Sequence, residues 1–311
     1  MALLSSFKLL DLNTMDLDLF SPSFFLQHNF GVVDVLGRDS AKFLQRISTN
    51  NIEGLEVGAS CLTAFLNQKG RLVVVCYVRR VGKNAFRLIV PYDSAEKLTQ
   101  WLEQYLFIED VTLDDLSSQR ALCWIIGEYQ GQWDSTDVVI PVKASLVMPA
   151  KAGIQLCCTE NAITMQERVI NGNFRKLSED EFESARIAAL LPLSTNEISN
   201  SFHPIQLGLD DALHWAKGCY IGQEVISRLE SQQKSGGTLA GMKMSEEDWR
   251  KLKVGETILS NGQPVGRLTS VAPLYFRNTA NALAVLKRSD IVTALETDLS
   301  KVRIDSNGWC I

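Results

Sequence analysis

The chain has 311 residues, 46% of them hydrophobic and 22% charged, with a net charge of -5. Such numbers suit an ordinary globular protein of about two domains at roughly 150 residues each. They exclude a general nucleic-acid surface, which needs a basic face to displace counterions, while leaving room for a local basic pocket for a small anion.

The opening segment, MALLSSFKLLDLNTMDLDLF, sets Asp11, Asp16 and Asp18 among its apolar residues, so no secretory core is expected there. Its acids suit a solvated stretch or a partner contact. The longest apolar run, Leu72 to Val78, is strand-sized and well short of the roughly 18 residues of a membrane helix. A cytoplasmic protein is expected.

GVVDVLG reads as a strand, followed by a helix over RDSAKFLQRIS with Phe43, Leu44 and Ile47 on one face and Asp39 or Ser40 as cap. CLTAFLNQKGRLVVVCYVRR reads as two strands joined at Asn67 to Gly70, and AFRLIV as another. Asp93 and Glu96 suggest a capping box before Leu98, Trp101, Leu102 and Tyr105. This order predicts an α+β fold with an antiparallel or mixed sheet. No glycine-rich phosphate loop follows any strand.

Strands are expected at ALCWIIG, DVVIPV and IQLCC. Ser178 and Glu181 then cap a helix that Pro192 terminates. Residues 193 to 210 read as a long, site-lining loop. SQQKSGG (231 to 237) reads as a linker, and the glycine-punctuated remainder as a small β-barrel with one short helix at SEEDWRKL. The domains are therefore placed at 1–235 and 236–311.

Seven cysteines without C-x-x-C spacing argue for reduced thiols, with no disulfide framework and no metal site. His203 and His214 read as surface or capping residues. Cys157 and Cys158, being adjacent, would face opposite sides of a strand.

One cysteine stands apart. KGCYIGQE, residues 217 to 224, holds Cys219 between Lys217, Gly218, Tyr220, Gly222, Gln223 and Glu224. Val225, Ile226 and Leu229 follow at helical spacing. A helix start and the Lys217 charge would favour a thiolate, with Glu224 opposing it as a like charge. Gly218 and Gly222 would let a ligand approach closely. The plainer alternative is a cysteine that merely packs.

KGCYxGQE resembles the signature of the YgfZ family, relatives of the glycine-cleavage T-protein, an aminomethyltransferase. The resemblance extends to VVDVLGRDSAKFLQRISTNNI, LTAFLNQKGRL, ESARIAALLP, HPIQLGLD and GQPVGRLTS. It implies a three-part, ring-shaped α/β fold with a C-terminal β-barrel and a central channel binding tetrahydrofolate or a one-carbon derivative. It also implies a monomeric accessory protein for assembly or repair of iron–sulfur enzymes, including tRNA-modifying ones. Its partners would be folate and iron–sulfur client or assembly proteins, with no direct nucleic-acid or membrane contact. The implied reactive pair is Cys219 with Lys217. Folate contacts are expected from Asn67, Arg186, Tyr220, Gln223, Glu224 and Arg228, the arginines serving as forks for carboxylate.

The T-protein carries acids in the strand after the hairpin, one of them catalytic, where this chain has Leu72, Val73, Val74 and Val75. A valine cannot accept a proton, so aminomethyl transfer by that route is not expected. Ala188 stands where the T-protein has a pterin-gripping Glu, and Leu190 where it has a glycine. A one-carbon transferase and an interaction scaffold with a vestigial pocket remain as alternatives. A single motif cysteine could be at most a transient or shared cluster ligand, since a cluster commonly takes four thiolates.

Overall fold

The computed structural model describes residues 22–127, 137–142, 154–160, 162–232, 236–260, 263–277, 279–287, 295–297 and 300–302. The acidic opening segment, part of SQQKSGG and Cys310 lie outside these residues.

The first sheet is built from β2 (Gly31–Leu36), β3 (Ser60–Leu66), β4 (Leu72–Gly82), β5 (Ala85–Val90) and β6 (Thr112–Asp115). It is antiparallel throughout, in the order β3-β4-β5-β2-β6. Two helices belong to this region. In α1 (Ser40–Ile47), Phe43, Leu44 and Ile47 are buried, as their spacing predicts. In α2 (Ala95–Glu103) the buried residues are Leu98, Trp101 and Leu102. The cap of α2 corrects the sequence reading. Ser94 is the N-cap, and the Asp93 carboxylate accepts the Ser94 amide at 2.8 Å. Asp93 lies one residue too early, which leaves Glu96 at the second helical position, where it cannot close a capping box.

The second sheet combines β1 (Ser23–Gln27), β7 (Ala121–Ile126), β8 (Val138–Val142), β9 (Ile154–Thr159) and the two-residue β10 (Arg175–Lys176) in the order β10-β1-β7-β9-β8. Only the β1–β10 pair is parallel. Cys157 packs with Phe24, Cys123 and Ile125, while Cys158 joins the main core on the opposite face. Neither cysteine is in a disulfide. Two helices follow, α3 (Ala162–Asn171) and α4 (Glu179–Ala188). The second starts at the predicted capping box: Ser178 Oγ accepts the Glu181 amide and Glu181 accepts the Ser178 amide at 2.8 Å.

After two 3-10 turns, at Pro204–Leu207 and Asp210–Ala212, comes α5 (Gln223–Ser231). The third sheet is antiparallel, formed by β11 (Thr238–Met242), β12 (Thr257–Ser260), β13 (Gln263–Val271) and β14 (Ala282–Leu286), in the order β11-β14-β13-β12. A four-residue helix, α6 (Glu246–Trp249), lies between the first two strands, and a hairpin of β15 (Leu295–Thr297) and β16 (Ser300–Val302) ends the described chain. One set of side chains, including Ala240, Met242, Ile258 and Leu268, makes a local core. The alternating set, Leu239, Leu283 and Val285, joins the main core instead. That period-2 division is what docks the sheet on the rest of the protein. Where a barrel was expected, the described residues form this four-stranded sheet.

Candidate functional site: a central cavity and the loop that braces it

The last carbonyls of a helix have no partner within it. At the end of α1 they are met by Lys217, about 170 residues away in sequence. Its Nζ donates to the carbonyl oxygens of Gln45 at 2.7 Å, Ser48 at 2.6 Å and Asn50 at 2.7 Å. An ammonium has three donors, and all three point inward. A cation at a helix C-terminus also meets the favourable end of the dipole. The Tyr220 ring lies 5.4 Å from the same nitrogen. Burial draws the Lys217 amine down to about 8, opposed by the nearby Cys61 and Glu53.

This geometry corrects the pairing of Lys217 with Cys219. The ammonium has no donor left for the thiol, whose residue is exposed four positions before α5 begins. What Lys217 fixes is the loop at residues 48 to 50. From that loop Thr49 Oγ1 donates to the carbonyl of Ala212 at 2.6 Å, and Asn50 Nδ2 to that of Asp211 at 2.8 Å. The His214 amide returns to the Thr49 carbonyl at 3.0 Å. Lys217 thereby anchors the Asp210–Ala212 turn through one intermediate loop.

The motif glycines differ. Gly222 has φ +81°, and a Cβ there would lie 2.7 Å from the Asn67 carbonyl oxygen and 2.9 Å from Gly70 Cα. It is the point where the β3–β4 hairpin turn packs against the start of α5. At Gly218 a Cβ would meet no atom of the described residues within 4 Å, so no packing within the fold requires a glycine there. The Asn67 side-chain oxygen works inside the hairpin, accepting the amides of Lys69 at 2.9 Å and Arg71 at 3.1 Å. His203 Nδ1 bonds to the Gly70 carbonyl at 2.7 Å, tying the 3-10 turns to the same hairpin.

Arg186 corrects a second expectation. It is 3% exposed, and its guanidinium meets the Glu183 carboxylate, the Leu191 carbonyl at 3.1 Å, Glu197 at 3.4 Å and Ser270 Oγ at 2.8 Å. Every donor of the fork is engaged within the fold, and Ser270 also donates to Glu197 at 2.6 Å. This network joins α4 to β13, so the fork is not free for a ligand carboxylate. Arg228 is exposed on α5.

A cavity of about 940 Å³ opens between the sheets. Cys61 on β3 and Val75, Tyr77 and Arg79 on β4 make one wall; β8, with Ile140, makes another. Leu190 to Leu193, after α4, and Leu239 on β11 close a third side, and Asp210 and Asp211 line it from the braced turn. The 193–210 segment thus lines the cavity through its 3-10 turns. Leu190 has φ +54°, a left-handed conformation that favours glycine, and its side chain packs over Gly241.

None of the expected contact residues lines this cavity: Asn67, Arg186, Lys217, Gly218, Cys219, Tyr220, Gly222, Gln223, Glu224 and Arg228 all lie outside its walls. The polar residues along its lining include Cys61, Tyr77, Arg79, Asp210 and Asp211, with Ser60, Tyr92 and Thr238 beside them. One signal for them was present in the sequence. Val75, Tyr77 and Arg79 alternate along β4, so two polar residues share a strand face with a valine. Burial pushes the Cys61 thiol up to about 12, with Lys217 opposing. Burial first, and then Asp211, raise the Tyr77 phenol. Burial and then Asp211 also raise the Asp210 carboxyl.

Among known proteins, this arrangement has counterparts in a class that folds as the aminomethyltransferases do. Residues 23–128 match the family model described as the GCVT N-terminal domain. The glycine cleavage system aminomethyltransferase T of Bartonella henselae superposes with a TM-score of 0.70 at 17% identity, over 90% of this chain and 83% of that one. The chain is GcvT-like in its fold. In sequence it is 24% identical to the aminomethyltransferase of Bacillus subtilis over 304 residues, 88% of this chain and 82% of that protein. It is 26% identical over 263 residues to a chloroplastic protein of Arabidopsis thaliana, covering 78% of this chain and 60% of the relative's length. Among the described residues, no helix is long and apolar enough to cross a membrane.

Proposed function

We propose that this protein binds tetrahydrofolate, or a one-carbon derivative of it, in the central cavity. We further propose that it serves as an accessory factor for assembly or repair of iron–sulfur enzymes, including tRNA-modifying ones. The observation that carries the first part is the cavity itself. At about 940 Å³ it has the size of a site for a drug-sized ligand, mostly apolar with a few convergent polar groups. A flat heterocycle fits between walls such as Ile140, Leu190 and Leu239, and an anionic tail fits Arg79, the cation among the lining residues. The aminomethyltransferase names of relatives with this fold point to the same ligand class.

Val74 is buried and Val75 lines the cavity, so neither offers a carboxylate to a reacting amine. This favours an accessory role over aminomethyl transfer, the transferase reading resting on the relatives' names. Cys219, exposed at the surface in KGCYIGQE, is the group proposed to meet a client or its cluster. The reading includes a ring-like arrangement of three parts, the third a barrel completed from the four-stranded sheet. It also includes a boundary between 1–235 and 236–311, and a monomer in the cytoplasm.

Anaerobic isothermal titration with tetrahydrofolate tests the first part: saturable binding to one site is expected, and heats of dilution alone would remove it. Complementation tests the second. Cys219→Ser should keep the fold and the folate affinity, yet fail to support iron–sulfur enzyme activities in a deletion strain. Full rescue by that variant would return Cys219 to the packing class.

A further inference from the structure

Tyr77 is 7% exposed, and the residue lines the cavity from β4. Its phenol has no hydrogen-bond partner among the described residues. The neighbouring cavity tyrosine is different, because Tyr92 accepts the Val75 amide at 2.8 Å. The Tyr77 hydroxyl is not among the fully enclosed polar atoms left unsatisfied, so it opens on the cavity, where a bound molecule can meet it. Asp211 lines the same cavity and is close enough for its charge to act on the Tyr77 phenol. Its backbone is pinned by Asn50, which Lys217 holds in turn. The two polar groups therefore face one space from two different elements, one a strand and one a braced turn.

We propose that Tyr77 and Asp211 form the polar anchor for the heterocyclic end of the ligand, which deepens the folate reading above and rests on it. The carboxylate of Asp211 only accepts, so it takes ring and exocyclic N–H donors of an amidine-like edge. The phenol of Tyr77 donates to the adjacent ring carbonyl. A 2-amino-4-oxo ring presents both groups side by side, and the pair suits it with one charge and one neutral donor. Such an anchor supplies recognition where Val75 and Ala188 supply no acid. Tyr77 and Asp211 are binding residues in this scheme, and Lys217 is a positioning residue that acts through Asn50.

The test uses the full-length chain, two probes and two variants. The probes are tetrahydrofolate and 6-methyltetrahydropterin, which keeps the ring but lacks the anionic tail. Tyr77→Phe removes only the hydroxyl and should leave the melting temperature of the free protein unchanged or raised. Its affinity for both probes should fall by about tenfold, the loss of one buried hydrogen bond. Asp211→Asn keeps the size and backbone contacts and should weaken both probes by a similar factor. Wild-type affinity in both variants, with folate still bound, would overturn the anchor and leave the folate reading standing. So would a loss confined to tetrahydrofolate, since that places the pair at the tail. A marked drop in the melting temperature of Tyr77→Phe would assign the phenol to the fold and also overturn it. If wild-type protein binds neither probe, the folate reading fails and the anchor fails with it.

Discussion

Replacing Lys217 by methionine keeps most of the stem's apolar volume and removes only the ammonium. Three carbonyl oxygens then lose their donor. The contact to Ser48 is buried, while those to Gln45 and Asn50 are partly buried. A stranded buried acceptor costs about 1–3 kcal/mol, and one that water can reach costs less. One full cost plus two at about 0.5–1 kcal/mol gives about 2–5 kcal/mol. Part of this is offset, because burial already penalises the charged amine and holds it at about 8. A net loss of about 2–3 kcal/mol is expected, which for a chain of 311 residues lowers the melting temperature by about 3–5 °C. Scanning calorimetry on Lys217→Met and wild type measures it directly. Iodoacetamide labelling of Cys219 supplies the second arm. Since every donor of Lys217 faces inward, the labelling rate of the native variant should stay within about twofold of wild type. An unshifted melting temperature together with sharply slowed alkylation would refute the bracing role and restore Lys217 as the activator of the thiol.

Gly222→Ala should cost about 2–4 kcal/mol, from a left-handed φ and a Cβ driven against the Asn67 carbonyl, whereas Gly218→Ala should be nearly neutral; paired urea titrations read both. Arg186→Ala strands Glu197, which is fully buried, and should destabilise by about 3–5 kcal/mol. A midpoint shift under 1 kcal/mol in chemical denaturation would contradict the network. His203 has its proton affinity lowered from 6.5, chiefly by burial. The unfolded chain therefore takes up that proton first, and the contribution of His203 to stability is lost as pH falls below about 6.5. His203→Asn should flatten the pH dependence of unfolding between pH 6.5 and 5, and an unchanged slope would count against a buried neutral imidazole.

Local order was legible in the sequence because it rests on neighbours. The alternation that separates Cys157 from Cys158, the apolar face of α1 and the Ser178–Glu181 capping box each depend on groups a few residues apart, where pleat and helical period fix the geometry. The resemblance around KGCYIGQE also pointed to the fold. Even locally there was a limit. Asp93 and Ser94 can both cap a helix, and the choice between them turned on a single residue of register.

The site was another matter. Nothing in the spacing of KGCYIGQE says that Lys217 reaches back to the end of α1, since that end needs donors and only the folded chain decides which ones arrive. For the same reason Arg186 looked like a free fork until Glu183, Glu197 and Ser270 closed around it. The cavity is assembled from segments spread from Gly58 to Leu239. Its chemistry therefore belongs to residues such as Tyr77 and Asp211, which sequence proximity never joins. Short-range sterics and hydrogen bonding decide what each segment becomes. Which side chains converge on one space is decided by long-range packing of the three sheets, and that only the tertiary structure carries.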